Sequence, residues 1–161
     1  MTELILSIKK ELMILLLAAA PISEIRGAIP AALGFGFEPW HAYIIGVIGN
    51  LLPIPFLLKL LNPMFDFFGR TRAFGGIINW IKRRTLRRSD KVEKYSVLGL
   101  FLLVAIPLPT TGAWTGSIAA SLFDIKFRHA FPAIVAGVMV AGIIVLILST
   151  QAISLFEILS I

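Results

Sequence analysis

Apolar residues along this chain come in runs, and most of the runs are too short to cross a membrane. Crossing about 30 Å of hydrocarbon takes about 20 predominantly apolar residues in a helix. Leu12–Ala20 stops at Pro21, and Ala31–Phe37 is short and carries two glycines. Val97–Ile106 stops at Pro107, and Ile118–Phe123 is short again. Each short pair brackets a proline-bounded polar loop, Pro21–Pro30 in the first case and Pro107–Gly116 in the second. Such pairs predict re-entrant helical hairpins that enter the membrane and return. Backbone can do this only where protein or a water-filled cavity surrounds it. Pro21, Gly27 and Pro30 are the expected shapers of the first loop, and Pro107, Pro109 and Gly116 those of the second.

Two runs are long enough to span. Trp40–Leu61 is interrupted by Asn50, Pro53 and Pro55, which predicts a kinked helix. Ala133–Leu148 is uninterrupted and extends at both ends. Within it Ala133, Gly137 and Ala141 recur every four residues, the small-residue spacing that lets helices approach closely in lipid. Between the two halves lies Arg70–Lys94. Phe74, Ile77, Ile78 and Ile81 fall at i, i+3, i+4 and i+7, one face of a helix. Lys82, Arg83, Arg84, Arg87, Arg88, Lys91 and Lys94 follow. This predicts a basic amphipathic helix lying in the interface, with Trp80 at headgroup level and Arg83, Arg84, Arg87 and Arg88 on the membrane surface. A plain topogenic loop would carry the same charges.

The halves resemble each other. At a constant offset of 88, Ala31, Ala32, Phe35, His41, Ala42 and Gly49 fall on Ala119, Ala120, Phe123, His129, Ala130 and Gly137. Upstream, Gly27-Ala28 matches Gly112-Ala113 and Pro21 roughly matches Pro107. A hairpin that returns to its own side, followed by one crossing, sends the second hairpin in from the opposite side. The expected fold is therefore an all-α membrane protein with an inverted repeat, each repeat a re-entrant helical hairpin plus a transmembrane helix. Residues 1–161 read as one membrane domain: repeat one over about 1–62, the basic connector over about 63–94, and repeat two over about 95–161.

Composition supports the membrane and narrows the chemistry. Hydrophobic residues make up 58% and charged residues 15%, against about 45–50% and about 25% in soluble domains. The formal charge of +6 borders apolar segments without an aromatic RNA-binding pattern, so a membrane lipid is the expected partner and nucleic acid is not. Twelve of the fifteen Lys and Arg residues fall on the side of the central loop, which the positive-inside rule places in the cytoplasm with both termini outside. Cysteine is absent, and His41 and His129 lie far apart, so neither a metal nor another cofactor is expected. No zinc-protease motif, nucleophile elbow or P-loop occurs, which argues against an enzyme. Asp66, Asp90 and Asp124 are expected at or near the interface.

Glu24 and Arg26 are the only formal charges in the two tips. Charge at membrane depth costs about 2.5–3.5 kcal/mol on insertion scales, so such residues usually pair or serve a pathway. Burial and a neighbouring guanidinium act on a carboxyl in opposite senses, and a group balanced between them can take and release a proton. A structural ion pair stapling the loop is the plainer alternative. The second tip offers Thr110, Thr111 and Thr115 hydroxyls, the backbone at Gly112 and the Trp114 ring. With Asn50 of the first spanning helix, these residues are the expected lining of a polar substrate or proton pathway. Broken-helix N-termini there would favour an anion.

Ser23-Glu-Ile-Arg-Gly-Ala-Ile-Pro30 and Ile106-Pro-Leu-Pro-Thr-Thr-Gly-Ala-Trp-Thr-Gly116, with Lys91-Val-Glu-Lys-Tyr95 ahead of the second, resemble the prokaryotic small multidrug export protein family. The departure is Thr110 or Thr111, where that family's pattern leads one to expect glycine. The chain also looks similar to the larger DedA superfamily, whose paired re-entrant hairpins imply movement of lipids or polyprenyl-phosphate carriers. The arginines expected in the second half of such proteins are unmatched in the second tip, Arg128 being the nearest. Together these likenesses imply a multi-pass protein of the prokaryotic cell membrane. The expected function is a proton-linked transporter or flippase of an anionic lipid or amphiphile, acting where the two loops meet. Export of small drugs, or a non-transporting organiser that docks lipid through Arg70–Lys94, are the alternatives. A chain with two full spans covers little polar interior by itself, so a homodimer is expected.

Overall fold

The computed structural model describes residues 2–69, 90–108 and 111–159, and every regular element among them is an α-helix. These are α1 (Thr2–Ala19), α2 (Glu24–Gly34), α3 (Pro39–Leu51), α4 (Ile54–Gly69), α5 (Asp90–Ala105), α6 (Ala113–Leu122) and α7 (Phe127–Leu159). The interfacial segment with Trp80, Arg83, Arg84, Arg87 and Arg88 lies outside the described residues, as do Pro109 and Thr110. Two stretches are long and apolar enough to cross a membrane, Pro39–Leu61 and Phe127–Phe156.

Three expectations are corrected. The first loop is shorter than Pro21–Pro30: α2 begins at Glu24 and carries Pro30 inside it. The proline ring removes one N–H and leaves the Arg26 carbonyl without its i+4 donor, a loss that a short, exposed helical face tolerates. Similarly α6 begins at Ala113, so Trp114, Thr115 and Gly116 belong to its first turn rather than to a loop. The first spanning run is not one kinked helix, because α3 ends at Leu51 and α4 starts at Ile54. Pro53 and Pro55 withhold the N–H groups that would continue the ladder. As expected, the Ala133–Leu148 run extends at both ends: α7 runs for 33 residues, about 50 Å at 1.5 Å per residue.

The chain divides into two compact units, Met1–Pro53 with Val138–Ile161, and Ile54–Gly137. In the first, α1, α2 and α3 pack on one another. Ile14, Ala18, Ala28, Ala32 and Ala42 are fully buried at the centre, with Phe37 and Ile45 against them. Small residues set the spacing. A Cβ on Gly49 of α3 would lie 2.7 Å from the Leu15 carbonyl oxygen and 2.8 Å from Ala18 Cβ of α1. One on Gly46 would meet Ile29 of α2 at 3.1 Å. Tyr43 donates its hydroxyl to the Met139 carbonyl at 3.2 Å, tying α3 to the later part of α7.

In the second unit α4 and α5 both pack on α6. Val104 of α5 is gripped from two sides. A Cβ on Gly116 of α6 would fall 2.6 Å from its Cγ2, and one on Gly137 of α7 would fall 2.7 Å from its Cβ. Gly116 is therefore a packing glycine and not a turn glycine, and the Ala133–Gly137 stripe does bring helices into close contact. Lys59 of α4 stands 5.8 Å over the Phe127 ring.

The turn that ends α2 recurs after α6. Phe35 N–H donates to Ala31 O at 3.0 Å, and Phe123 N–H to Ala119 O at 2.9 Å. Phe37 N–H reaches Ala32 O at 3.1 Å, and Ile125 N–H reaches Ala120 O at 2.8 Å. Ala42 to Glu38 at 2.9 Å is repeated by Ala130 to Lys126 at 3.0 Å. Even the left-handed residue recurs, as Gly36 (φ +85°) and Asp124 (φ +53°). Each of these pairs is separated by 88 positions.

Candidate functional site

The α1–α2 tip is built by backbone geometry before any side chain acts. Ala20 N–H closes α1 onto Leu16 O at 3.1 Å, and Glu24 N–H returns to Ala20 O at 3.1 Å. The Ser23 hydroxyl donates to the Leu17 carbonyl, and Gly27 N–H donates to Ser23 O at 2.9 Å. Pro21 and Ile22 are exposed on the outside of the turn.

Glu24 is the unusual residue. Its backbone is left-handed, φ +47°, although glutamate is neither glycine nor a habitual turn residue. For an L-residue that conformation costs about 1–2 kcal/mol. Its side chain is only 5% exposed, at the N-terminus of α2, where the aligned peptide dipoles favour a carboxylate. Arg26 is half-buried two residues on, and the Glu24 charge acts on its guanidinium. Strained backbone and buried charge at one residue are both unfavourable for the fold, and such strain clusters at functional positions.

The helix register brings a third expected residue to this level. Gly46 faces Ile25 and Ile29, so α3 runs antiparallel to α2. One turn further along α3 is Asn50, and its neighbour Gly49 rests on Leu15 and Ala18 near the end of α1. Asn50 therefore sits level with the tip. It is 1% exposed, and its Oδ1 has no hydrogen-bond partner among the described residues. An unsatisfied buried acceptor costs about 1–3 kcal/mol.

The second tip, in its own unit, is organised differently. Pro107 is half-buried in the segment leaving α5. Thr111 donates its hydroxyl to Ile106 O at 2.9 Å, with Leu108 O at 3.3 Å. Thr115 accepts the Gly112 N–H at 2.8 Å and donates to the Gly112 carbonyl at 3.1 Å, capping α6. These two hydroxyls knit the loop, so their donor capacity is spent locally. Trp114 is half-buried on the first turn.

Two polar residues escaped the sequence reading. Ser117 is fully buried and back-bonds to Ala113 O at 2.8 Å. Ser121 is 3% exposed, and its Oγ has no partner among the described residues. Their i, i+4 spacing in an otherwise apolar helix is the signal that could have found them. No group of His, Asp and Glu side chains among the described residues could hold a metal ion.

Compared with known proteins, residues 24–144 match the model of the family described as "Putative small multi-drug export protein". The match begins at Glu24 itself and takes in the second tip. No curated protein and no solved structure matches the chain. Nothing in these comparisons extends the likeness to the DedA superfamily.

Proposed function

The chain belongs to the small multi-drug export protein family, and from that membership we propose that it is a membrane transporter of a small anionic amphiphile. Glu24 is the proton-linked group and Arg26 the contact for the substrate's charge. The observation that carries this reading is the buried, left-handed Glu24 two residues from the half-buried Arg26. Depth supports it. The 11 residues of α2 rise only about 16 Å, half the hydrocarbon thickness. A tip at mid-depth fits a re-entrant hairpin, and a pair of them fits an inverted-repeat transporter.

In this mechanism protonated Glu24 gains a donor that the Asn50 Oδ1 lacks, and Arg26 is released to hold an anion. Deprotonation restores the Glu24–Arg26 attraction and expels the substrate. Arg26 is more exposed than Glu24, which favours an anionic over a cationic amphiphile.

The test is proton-driven transport of a fluorescent anionic amphiphile in proteoliposomes. Glu24→Gln should abolish proton coupling, and Arg26→Ala should abolish transport. Transport that survives in both variants would sink the assignment, while improved export of a cationic dye by Arg26→Ala would reverse the substrate's charge.

A further inference from the structure

A groove of about 390 Å³ opens in the first unit, at the end of α2 remote from Glu24. α1 contributes Leu6, Ser7 and Lys10 to it, and the α2–α3 turn with α3 contributes Phe35, Glu38 and His41. Lys10 lies one turn on from both Leu6 and Ser7 along α1, at i+4 and i+3. His41 is held from two sides. Its Nε2 lies 3.4 Å from Glu11 Oε1, and its ring meets the Phe37 ring edge-on at 5.1 Å between centroids. The groove wall is thus braced and not a loose gap between side chains.

Its depth in a bilayer follows from its neighbours. Glu38 immediately precedes the Pro39–Leu61 stretch. Trp40, 67% exposed, stands beside it with Tyr43 edge-on at 5.8 Å. Amphipathic rings of this kind settle at headgroup level. Lys9, Lys10 and Glu11 bring charge to the same level from α1.

At that level the lining is a charge pattern: one ammonium at Lys10, one carboxylate at Glu38, a hydroxyl at Ser7 and apolar surface at Leu6 and Phe35. A net anionic headgroup would set Glu38 against a like charge, and a cationic one would do the same to Lys10. A group carrying both charges satisfies both. We propose that this groove binds the headgroup of a zwitterionic aminophospholipid. Its phosphate lies on Lys10 and Ser7, its primary ammonium on Glu38, and the start of its acyl region along Leu6 and Phe35. A primary ammonium has three N–H donors for the carboxylate, and a trimethylated one has none. The site lies apart from Glu24 and stands whether or not the chain transports.

Native mass spectrometry of the full-length protein tests it. The protein is given equimolar phosphatidylethanolamine, phosphatidylcholine and phosphatidylglycerol with identical acyl chains. Phosphatidylethanolamine should be retained about tenfold over the other two, as charge-assisted hydrogen bonds imply. Glu38→Gln should lower phosphatidylethanolamine to the phosphatidylcholine level and leave phosphatidylcholine unchanged. Lys10→Ala should lower both. Equal retention of the three lipids by the unmodified protein would overturn the proposal, as would a preference that persists in Glu38→Gln.

Discussion

At Glu24 the cost of the backbone and the use of the side chain can be separated by two substitutions. Glu24→Ala and Glu24→Gly both delete the carboxylate and differ in size by only one methyl group. They differ in what φ +47° asks of the residue. Alanine keeps the left-handed penalty of about 1–2 kcal/mol, which glycine escapes. Against this, glycine gives the unfolded chain more freedom, worth about 0.5–1 kcal/mol in a helix. The difference leaves Glu24→Gly more stable than Glu24→Ala by about 0.5–1 kcal/mol. For a chain of this size that is a shift of about 1–4 °C in unfolding temperature. Thermal unfolding in one detergent, followed by intrinsic tryptophan emission, reads the difference directly. Both variants should equally lose proton-driven transport in proteoliposomes, since both lack the carboxylate. An alanine variant that melts above the glycine variant would refute the left-handed geometry. A Glu24→Gly variant that keeps proton coupling would refute the role given to the side chain.

Other outcomes follow from the same geometry. Gly49→Ala should cost about 1–3 kcal/mol of overpacking, because the added Cβ falls 2.7 Å from a backbone oxygen that cannot swing aside. Gly99→Ala, with nothing within 4 Å of its Cβ, should instead stabilise by about 0.5–1 kcal/mol, so the two form a matched melting comparison. Thr115→Val removes the acceptor for the Gly112 N–H and should cost about 1 kcal/mol, measured by melting and by faster amide exchange at Gly112. Asp124→Gly should raise the melting temperature slightly while Gly36→Ala lowers it, since both positions are left-handed. Light scattering on a gel-filtered sample in mild detergent should give about twice the 17.6 kDa chain mass if the expected homodimer forms; a monomer mass would reject it.

Much of the fold was legible because prolines and small residues act locally. Pro21 and Pro107 stop α1 and α5 close to where the runs end. The matched pairs Ala32/Ala120 and Ala42/Ala130 are all fully buried. Pro30 misled, because a proline in an exposed short helix forfeits one hydrogen bond without ending the helix. Glu24 and Arg26 were legible as chemistry, since charge in an apolar context is conspicuous. The left-handed backbone at Glu24 was not, because glutamate carries no turn signal and the conformation comes from the tip's hydrogen bonds. The local bonding of Thr111 and Thr115 was not legible: their hydroxyls donate to carbonyls three to five residues away. The groove at Lys10 and Glu38 was invisible because its walls lie far apart in sequence.

The turn shared by α2–α3 and α6–α7 is closed by main-chain atoms, and one side chain it holds in the left-handed region is absent altogether in the first copy. Such a turn behaves as an interchangeable part. Its residues can drift, and segment 35–38 can be transplanted for 123–126, without disturbing the helices on either side. The two turns can therefore be exchanged without touching either tip, since each tip lies at the other end of α2 or α6.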